Sequence, residues 1–175
     1  LYHDKNWRSG MTLNDNNTDN LFSQTGDLDY FAGEKQVPSG KNFQTYTSRA
    51  RVWNWLLEQI LPKEEAGSIQ GDKSILSHYI GEAYFFRALA YYQSLVRYGD
   101  FPIIDEVLPD DQAILKELSQ RAPRNEVARF ILKDLDTAIS RLKDQGFQNN
   151  QRINKQTAQL LKSRVALFEA TFEKY

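Results

Sequence analysis

The sequence predicts an all-α fold in which helices pair as hairpins joined by long loops. Apolar residues recur at spacings of three and four in four separate segments, which is the period of an amphipathic helix. No segment shows the sustained alternation of apolar and polar residues that a half-buried strand requires. A central helix that mixes small and aromatic residues is the third observation, because such mixtures occur where two helices pack closely.

The central segment from Gly81 to Asp100 predicts a buried helix. Its small residues lie among large apolar rings, so a neighbouring helix can approach closely while the rings fill the space on either side. Gly99 and Pro102 mark its end, because glycine favours a helix terminus and proline prevents the helix from resuming. We predict this helix over residues 74–98. Its small residues are Gly81, Ala83, Ala88 and Ala90.

The preceding helix is predicted over residues 46–61, with Pro62 as its end. Residues 1–45 are polar and rich in turn formers, and they predict loops or short helices. Trp55 lies far from the apolar face of this helix, which predicts either a second interface or exposure. That apolar face consists of Val52, Trp53, Leu56, Leu57 and Ile60.

Residues 99–122 predict a long ordered loop with one helical turn at 114–118. A third helix is predicted over residues 124–143, and a fourth over residues 155–175 with Asn154 as its N-cap. The apolar face of the third helix is Val127, Ile131, Leu135, Ala138, Ile139 and Leu142, and that of the fourth is Ala158, Leu161, Val165, Phe168 and Phe172.

These elements predict a single domain over residues 1–175. It comprises a loop-rich segment (1–45), a first helical hairpin (46–98), a long loop (99–122) and a second hairpin (123–175). The segment from Arg87 to Tyr92 is echoed by the segment from Arg164 to Glu169. Hairpins whose interfaces place small residues beside aromatic ones are typical of tetratricopeptide-like repeats, although the 34-residue period of those repeats is absent.

Composition excludes several classes of function. The formal net charge is −1, from 22 basic and 23 acidic residues, so the sequence predicts no nucleic-acid partner. The chain has no cysteine, which excludes disulfides, thiolate metal sites and a cysteine nucleophile. No apolar run approaches the roughly 20 residues that span a bilayer.

No catalytic or metal constellation stands out either. Asp134 and Asp136 are two residues apart on a helix and point in nearly opposite directions, unlike the facing carboxylates of a glycosidase. The two histidines, His3 and His78, are far apart in the sequence, and no glycine-rich phosphate loop is present. We therefore predict neither an enzyme nor a cofactor.

A calcium loop is suggested by Asp15, Asn17 and Asp19, whose alternate spacing is that of oxygen ligands. The sixth and twelfth positions of such a loop are Asn20 and Gly26, where glycine and a bidentate glutamate are required. An Asx-rich turn without a metal is therefore the favoured interpretation.

Four motifs in order resemble the SusD/RagB family. The strongest is Gly81-Glu-Ala-Tyr-Phe-Phe-Arg-Ala-Leu-Ala-Tyr-Tyr-Gln-Ser-Leu-Val-Arg-Tyr-Gly-Asp-Phe-Pro102. It is preceded by Arg51 and Asn54 with Leu57-Glu-Gln-Ile60, in a helix where Ala50 and Thr47 depart from the family pattern. It is followed by Pro123-Arg-Asn125 with the helix from Ile131 to Leu142, and by Arg152-Ile-Asn-Lys155 with the helix from Ala158 to Tyr175.

The resemblance implies a lipoprotein of the outer membrane that faces the cell exterior and is held by an N-terminal lipid outside this chain. Such a protein covers a SusC-like TonB-dependent transporter and captures an oligosaccharide, or in some members a peptide, for import. We expect this chain to be the N-terminal part of the longer family fold. A tetratricopeptide-type adaptor that binds partner proteins remains the alternative, because helical hairpins alone suit both.

The residues predicted to contact a ligand lie upstream of the first long helix. Sugar recognition needs a flat aromatic face beside planar polar groups, and this segment carries aromatic rings near Asn and Asp side chains. The alternative is that each ring covers the helical core. For Arg87 and Arg164 we predict structural ion pairs or bonds to carbonyl groups, since a buried guanidinium needs a fixed partner. The predicted ligand contacts are Asp15, Asp19, Tyr30, Phe31 and Phe43.

Overall fold

The computed structural model describes the backbone of residues 41–174 and the side chains of residues 49–149 and 151–174. Within residues 41–174 the all-α prediction is confirmed, and extended pairing is limited to one antiparallel bridge between Phe101 and Ala122. The helices are α1 (Lys41–Glu65), α2 (Lys73–Tyr98), α3 (Gln112–Leu118), α4 (Arg124–Arg141) and α5 (Lys155–Lys174), with a 3-10 helix at Phe147–Asn150.

Helix α1 is longer at both ends than its sequence predicts. It begins at Lys41, so residues 41–45 belong to this long helix where we expected loops or short helices, and it continues through Pro62. Proline removes one backbone donor, but in the last turn that loss is small beside tertiary contacts. Leu61 packs against α2, and the Glu64 carboxylate accepts a 2.8 Å hydrogen bond from Arg141 in α4, which holds the final turn.

The apolar face of α1 agrees with the prediction at Trp53, Leu56, Leu57 and Ile60 but not at Val52. Val52 is 59% exposed, so its assignment to the core was wrong, whereas Leu57 and the polar Asn54 are buried. Trp55 is exposed. The position of Asn54 follows from its partners, because its amide donates hydrogen bonds to the carbonyl groups of residues 104 and 106.

Helix α2 is the centre of the fold and packs against α1 and α4. Asp72 caps its first turn by accepting a hydrogen bond from the Ser74 amide, and Gly99 ends it with a positive φ of 70°. Ala88 and Ala90 are buried, as predicted. Gly81 permits a close approach of the end of α4, since an added Cβ would lie 3.1 Å from the Arg141 Cβ.

Helix α4 packs between α2 and α5 and ends at Arg141, two residues earlier than predicted. Leu142 adopts an extended backbone, and the Lys143 amide donates to His78 Nδ1 instead of continuing the helix. The predicted apolar face of α4 lies against α2, with its central residues fully buried.

Helix α5 buries only part of its predicted face. Ala158 and Val165 are buried, but Phe172 is 58% exposed. The Arg124 guanidinium carbon lies over the Phe172 ring, 3.6 Å from the centre of that ring. Arg164 is exposed, so its guanidinium does not need the fixed partner that a buried one requires.

The loop after α2 is fixed by a buried polar network. Arg87 donates two hydrogen bonds to the Asp134 carboxylate, each 2.7 Å long, which confirms the predicted structural ion pair. Tyr91 Oη accepts from the Ile104 amide and donates to the Ile104 carbonyl group. Polar groups from α1 and α2 thereby hold residues 104–106.

Within the described residues, none of the helices combines the length and the hydrophobicity required to cross a bilayer.

Candidate functional site

A cleft of about 400 Å³ lies where α1, α2 and the segment before α5 meet. Helix α2 supplies one wall through side chains at spacings of three and four, which lie on one face of a helix. The segment that enters α5 adds Gln151, Arg152 and Ile153 to the lining. The cleft is lined by Trp53, Leu56, Tyr79, Glu82, Ala83, Phe86, Gln151, Arg152 and Ile153.

The apolar wall of the cleft consists mainly of aromatic rings. Trp53 stacks on Phe86 with ring centres 5.0 Å apart and an interplanar angle of 16°. Both rings are partly buried, and Tyr79 is 38% exposed at the rim. Trp53 reaches the cleft because the apolar face of α1 is turned toward α2. The wall therefore offers flat, rigid apolar surface to a ligand.

The polar wall is an ion pair between Glu82 and Arg152. Arg152 Nε donates to Glu82 Oε1 over 2.9 Å, and the second nitrogen contact is between Arg152 Nη2 and Glu82 Oε2. The Glu82 side chain is buried, whereas 40% of the Arg152 side chain is exposed. The same guanidinium lies 4.9 Å from the ring centre of Tyr79. Hydrogen bonding to Glu82 raises the pKa of Arg152, so the guanidinium is permanently charged and fixed in orientation.

His78 supports this ion pair from behind. Its ring is fully buried and lies 4.4 Å from the ring of Phe147. Nδ1 accepts a 3.1 Å hydrogen bond from the Lys143 amide, which assigns the proton of the neutral ring to Nε2, 3.4 Å from Glu82 Oε1. Burial lowers the pKa of His78, and the nearby Glu82 carboxylate only partly opposes that effect.

The polar groups of the cleft differ in how far they are already engaged by other side chains. Both carboxylate oxygens of Glu82 are engaged by Arg152, which leaves them poorly suited to accept a proton from a substrate. Arg152 keeps N–H groups that face away from Glu82, and the exposed Gln151 adds an amide. In the part of the chain that the structure describes, no group of three His, Asp or Glu side chains is placed to hold a metal ion.

The ligand contacts predicted from the sequence are not the residues of this cleft. Asp15, Asp19, Tyr30 and Phe31 lie outside the described residues. Phe43 lies within α1, so its description as a loop residue was wrong. Helix formation starts early enough to include it, because the pattern of α1 extends toward Lys41 without a strong breaker.

Sequence reasoning missed the residues of the cleft for a physical reason. The periodicity of α2 places Tyr79, Glu82 and Phe86 on one face, and this signal was available in the sequence. The pairing of Glu82 with Arg152 was not, because 70 residues separate them and only the packing of the helices brings them together.

A family model matches almost the whole chain. Residues 1–167 match the SusD-like family described as "Starch-binding associating with outer membrane". The chain belongs to this family. The helices described above are therefore part of a SusD-like protein, and the resemblance seen in the four sequence motifs is confirmed.

Individual relatives agree with the family assignment. The SusD-like protein P2 of Formosa agariphila is 33% identical over 109 residues, which cover 62% of this chain and 21% of the relative. A SusD-like protein from Bacteroides fragilis is 31% identical with a TM-score of 0.61, over 75% of this chain and 24% of that chain. A SusD-like carbohydrate-binding protein from the same organism has a TM-score of 0.61 at 15% identity, which shows the shared fold alone.

That last alignment covers 94% of this chain and 28% of the solved one. The chain thus spans 21–28% of the length of these relatives.

Proposed function

We propose that the full-length protein is a nutrient-binding lipoprotein on the outer face of the outer membrane. It captures oligosaccharides and passes them to a SusC-like TonB-dependent transporter. The observation that carries this proposal is the match of residues 1–167 to the SusD-like family model, whose description names starch binding and association with the outer membrane.

The geometry of the described residues supports a binding role over a catalytic one. Buried charges are paired, as Arg87 is with Asp134 and as the buried Glu82 is with the partly exposed Arg152. Helices that are tied together in this way make a rigid scaffold, and ligand-contacting loops are commonly positioned by such scaffolds. On this account the protein releases its ligand chemically unchanged.

The segment before α1 is proposed to contribute part of the ligand contacts. Asp15 and Asp19 supply carboxylates for sugar hydroxyls, and Tyr30 and Phe31 supply rings for the apolar face of a sugar. Phe43 stays in this proposal only as a residue at the start of α1, next to that segment. Attachment to the membrane is proposed to occur through an N-terminal lipid outside residues 1–175.

A tetratricopeptide-type adaptor is the weaker alternative, because its helical hairpins account for the fold without accounting for the ordered family match. Peptide capture is the alternative that differs least from the proposed function, since a peptide-binding protein would use the same scaffold and the same kind of transporter. Neither has a specific observation in its favour.

Two measurements on the full-length protein test the proposal. In native gel electrophoresis, polymeric starch and other polysaccharides cast into the gel should retard the protein if they bind it. In mild detergent, the tagged protein should copurify with a large β-barrel transporter from its own outer membrane. Retardation by none of the polysaccharides, together with retention of peptides, would favour the peptide-binding alternative. Recovery of the protein in the cytoplasmic fraction would contradict the proposed location.

A further inference from the structure

We propose that the cleft bounded by Trp53, Tyr79 and Arg152 is a saccharide subsite that accepts one neutral pyranose unit of a glycan chain. This inference rests on the proposed function and adds a site on the helical scaffold itself. It differs from the prediction that sugar contacts come only from the segment before α1.

The aromatic wall is the first argument. A pyranose ring presents a flat face of C–H groups, and such a face packs against an aromatic ring with little loss of conformational entropy. Trp53 is held by its 5.0 Å stack on Phe86, which also lines the cleft, and Tyr79 is 38% exposed. The two residues come from different helices, and both line the cleft.

The fixed guanidinium is the second argument. Glu82 holds Nε and Nη2 of Arg152 from one side, which leaves Nη1 and one N–H of Nη2 for a ligand. Two such donors in one plane match a pair of adjacent hydroxyl oxygens. Gln151, next in the chain, supplies both a donor and an acceptor at the same edge.

Charge and size favour a neutral sugar. The carboxylate of Glu82 balances the guanidinium of Arg152, so the pair offers hydrogen bonds with little net charge to attract a phosphate or an acidic peptide. The cleft volume of about 400 Å³ falls in the range of roughly 300–1,000 Å³ that is common for small-molecule sites. Mostly apolar walls with a few fixed polar groups are also typical of such sites.

The test is calorimetric titration of the full-length protein with four neutral oligosaccharides: maltoheptaose, cellohexaose, xylohexaose and mannohexaose. Two cleft variants are compared. One is the double variant Tyr79→Ala with Gln151→Ala, and the other is Arg152→Lys, which keeps the positive charge next to Glu82. The control is Trp55→Ala, which removes an exposed ring of α1 that does not line the cleft. Thermal unfolding of each variant establishes that it is folded.

We expect the double variant to bind the preferred oligosaccharide about tenfold more weakly or worse, which corresponds to the loss of one aromatic contact and one hydrogen bond. Arg152→Lys should weaken binding in the same direction, because lysine cannot present two coplanar donors. Trp55→Ala should bind as the unmodified protein does. Unchanged affinity in both cleft variants would overturn this inference and leave the proposed function intact. Failure of the unmodified protein to bind any of the four sugars would contradict both.

Discussion

Arg87 of α2 and Asp134 of α4 form a two-bond ion pair that is almost completely buried, with side-chain exposures of 7% and 4%. The same guanidinium also donates from Nη1 to Asn54 Oδ1 and to the carbonyl group of Asp105, each over 3.2 Å. One side chain thus connects α1, α2, α4 and the loop after α2. Because each of its partners comes from a different element, the pair fixes the relative positions of these elements.

Removing one partner of this pair should destabilise the protein strongly. We expect Asp134→Ala to lower the free energy of unfolding by about 3–5 kcal/mol, because it leaves the Arg87 guanidinium buried without its counter-ion. Asp136→Ala is the matched control, since Asp136 lies on the same helix and pairs with Lys162, but 61% of its side chain is exposed. That control should change the free energy by no more than about 1 kcal/mol. Chemical denaturation measures the free energy of unfolding of both variants. Similar losses in the two would contradict the view that burial of the Arg87–Asp134 pair causes the larger effect.

Tyr91 should stabilise the loop after α2 through its hydroxyl group. Tyr91→Phe removes the acceptor of the Ile104 amide at 2.7 Å, and we expect a loss of about 1–3 kcal/mol. Tyr92→Phe serves as the control, because its ring keeps the edge contact with Phe168 and we expect a change within about 0.5 kcal/mol. Burial raises the pKa of Tyr91 to about 12. Absorbance titration of the wild-type protein should therefore show a tyrosine that ionises near pH 12. This step should be absent in Tyr91→Phe.

Stability should fall on mild acidification because of His78. Burial lowers the pKa of His78 in the folded protein below the ordinary value of about 6.5, so the unfolded chain takes up a proton more readily. The stability that His78 contributes is thus present above pH 6.5 and is lost as the pH falls toward the folded-state pKa. In His78→Asn, whose side-chain oxygen can accept the same bond from Lys143, the decrease in melting temperature between pH 7.5 and pH 5.5 should be smaller. An identical decrease in both proteins would assign the effect to other groups.

Substitution of Tyr30 and Phe31 distinguishes a ligand-binding role of these rings from a structural one. Replacing both with alanine in the full-length protein should weaken glycan binding while the melting temperature stays nearly the same. The reason is that these aromatic residues lie beside Asp27 and Asp29, away from the periodic pattern of the core helices. Parallel losses of affinity and stability would identify the two rings as core residues.

Periodicity predicted the limits of α2, α4 and α5 well, although each of these helices also buries a charged side chain. The predicted limits of α2 and α5 agree with the structure within one residue at each end, and α4 ends two residues early. Local rules failed in α1, where propensity predicted Pro62 as the helix end and periodicity predicted Val52 in the core. Packing of Leu61 and the bond from Arg141 to Glu64 decide the end of that helix, and neither is visible in its own sequence.

The candidate site, too, depends on contacts between residues that are far apart in the sequence. The cost of burying a guanidinium predicted that Arg87 has a partner, but its partner Asp134 lies 47 residues away. The cleft likewise depends on Arg152 meeting Glu82 across 70 residues. Composition and spacing show which residues suit sugar recognition, whereas the fold decides which of them share a surface.

The most direct test of the proposed function is an equilibrium titration of the full-length protein with starch-derived and other plant oligosaccharides, followed by chromatography of the sugar after incubation. The account predicts saturable binding of at least one oligosaccharide and recovery of that sugar at its original chain length. Absence of binding across the set, or recovery of shortened products, would contradict a protein that captures glycans without cleaving them.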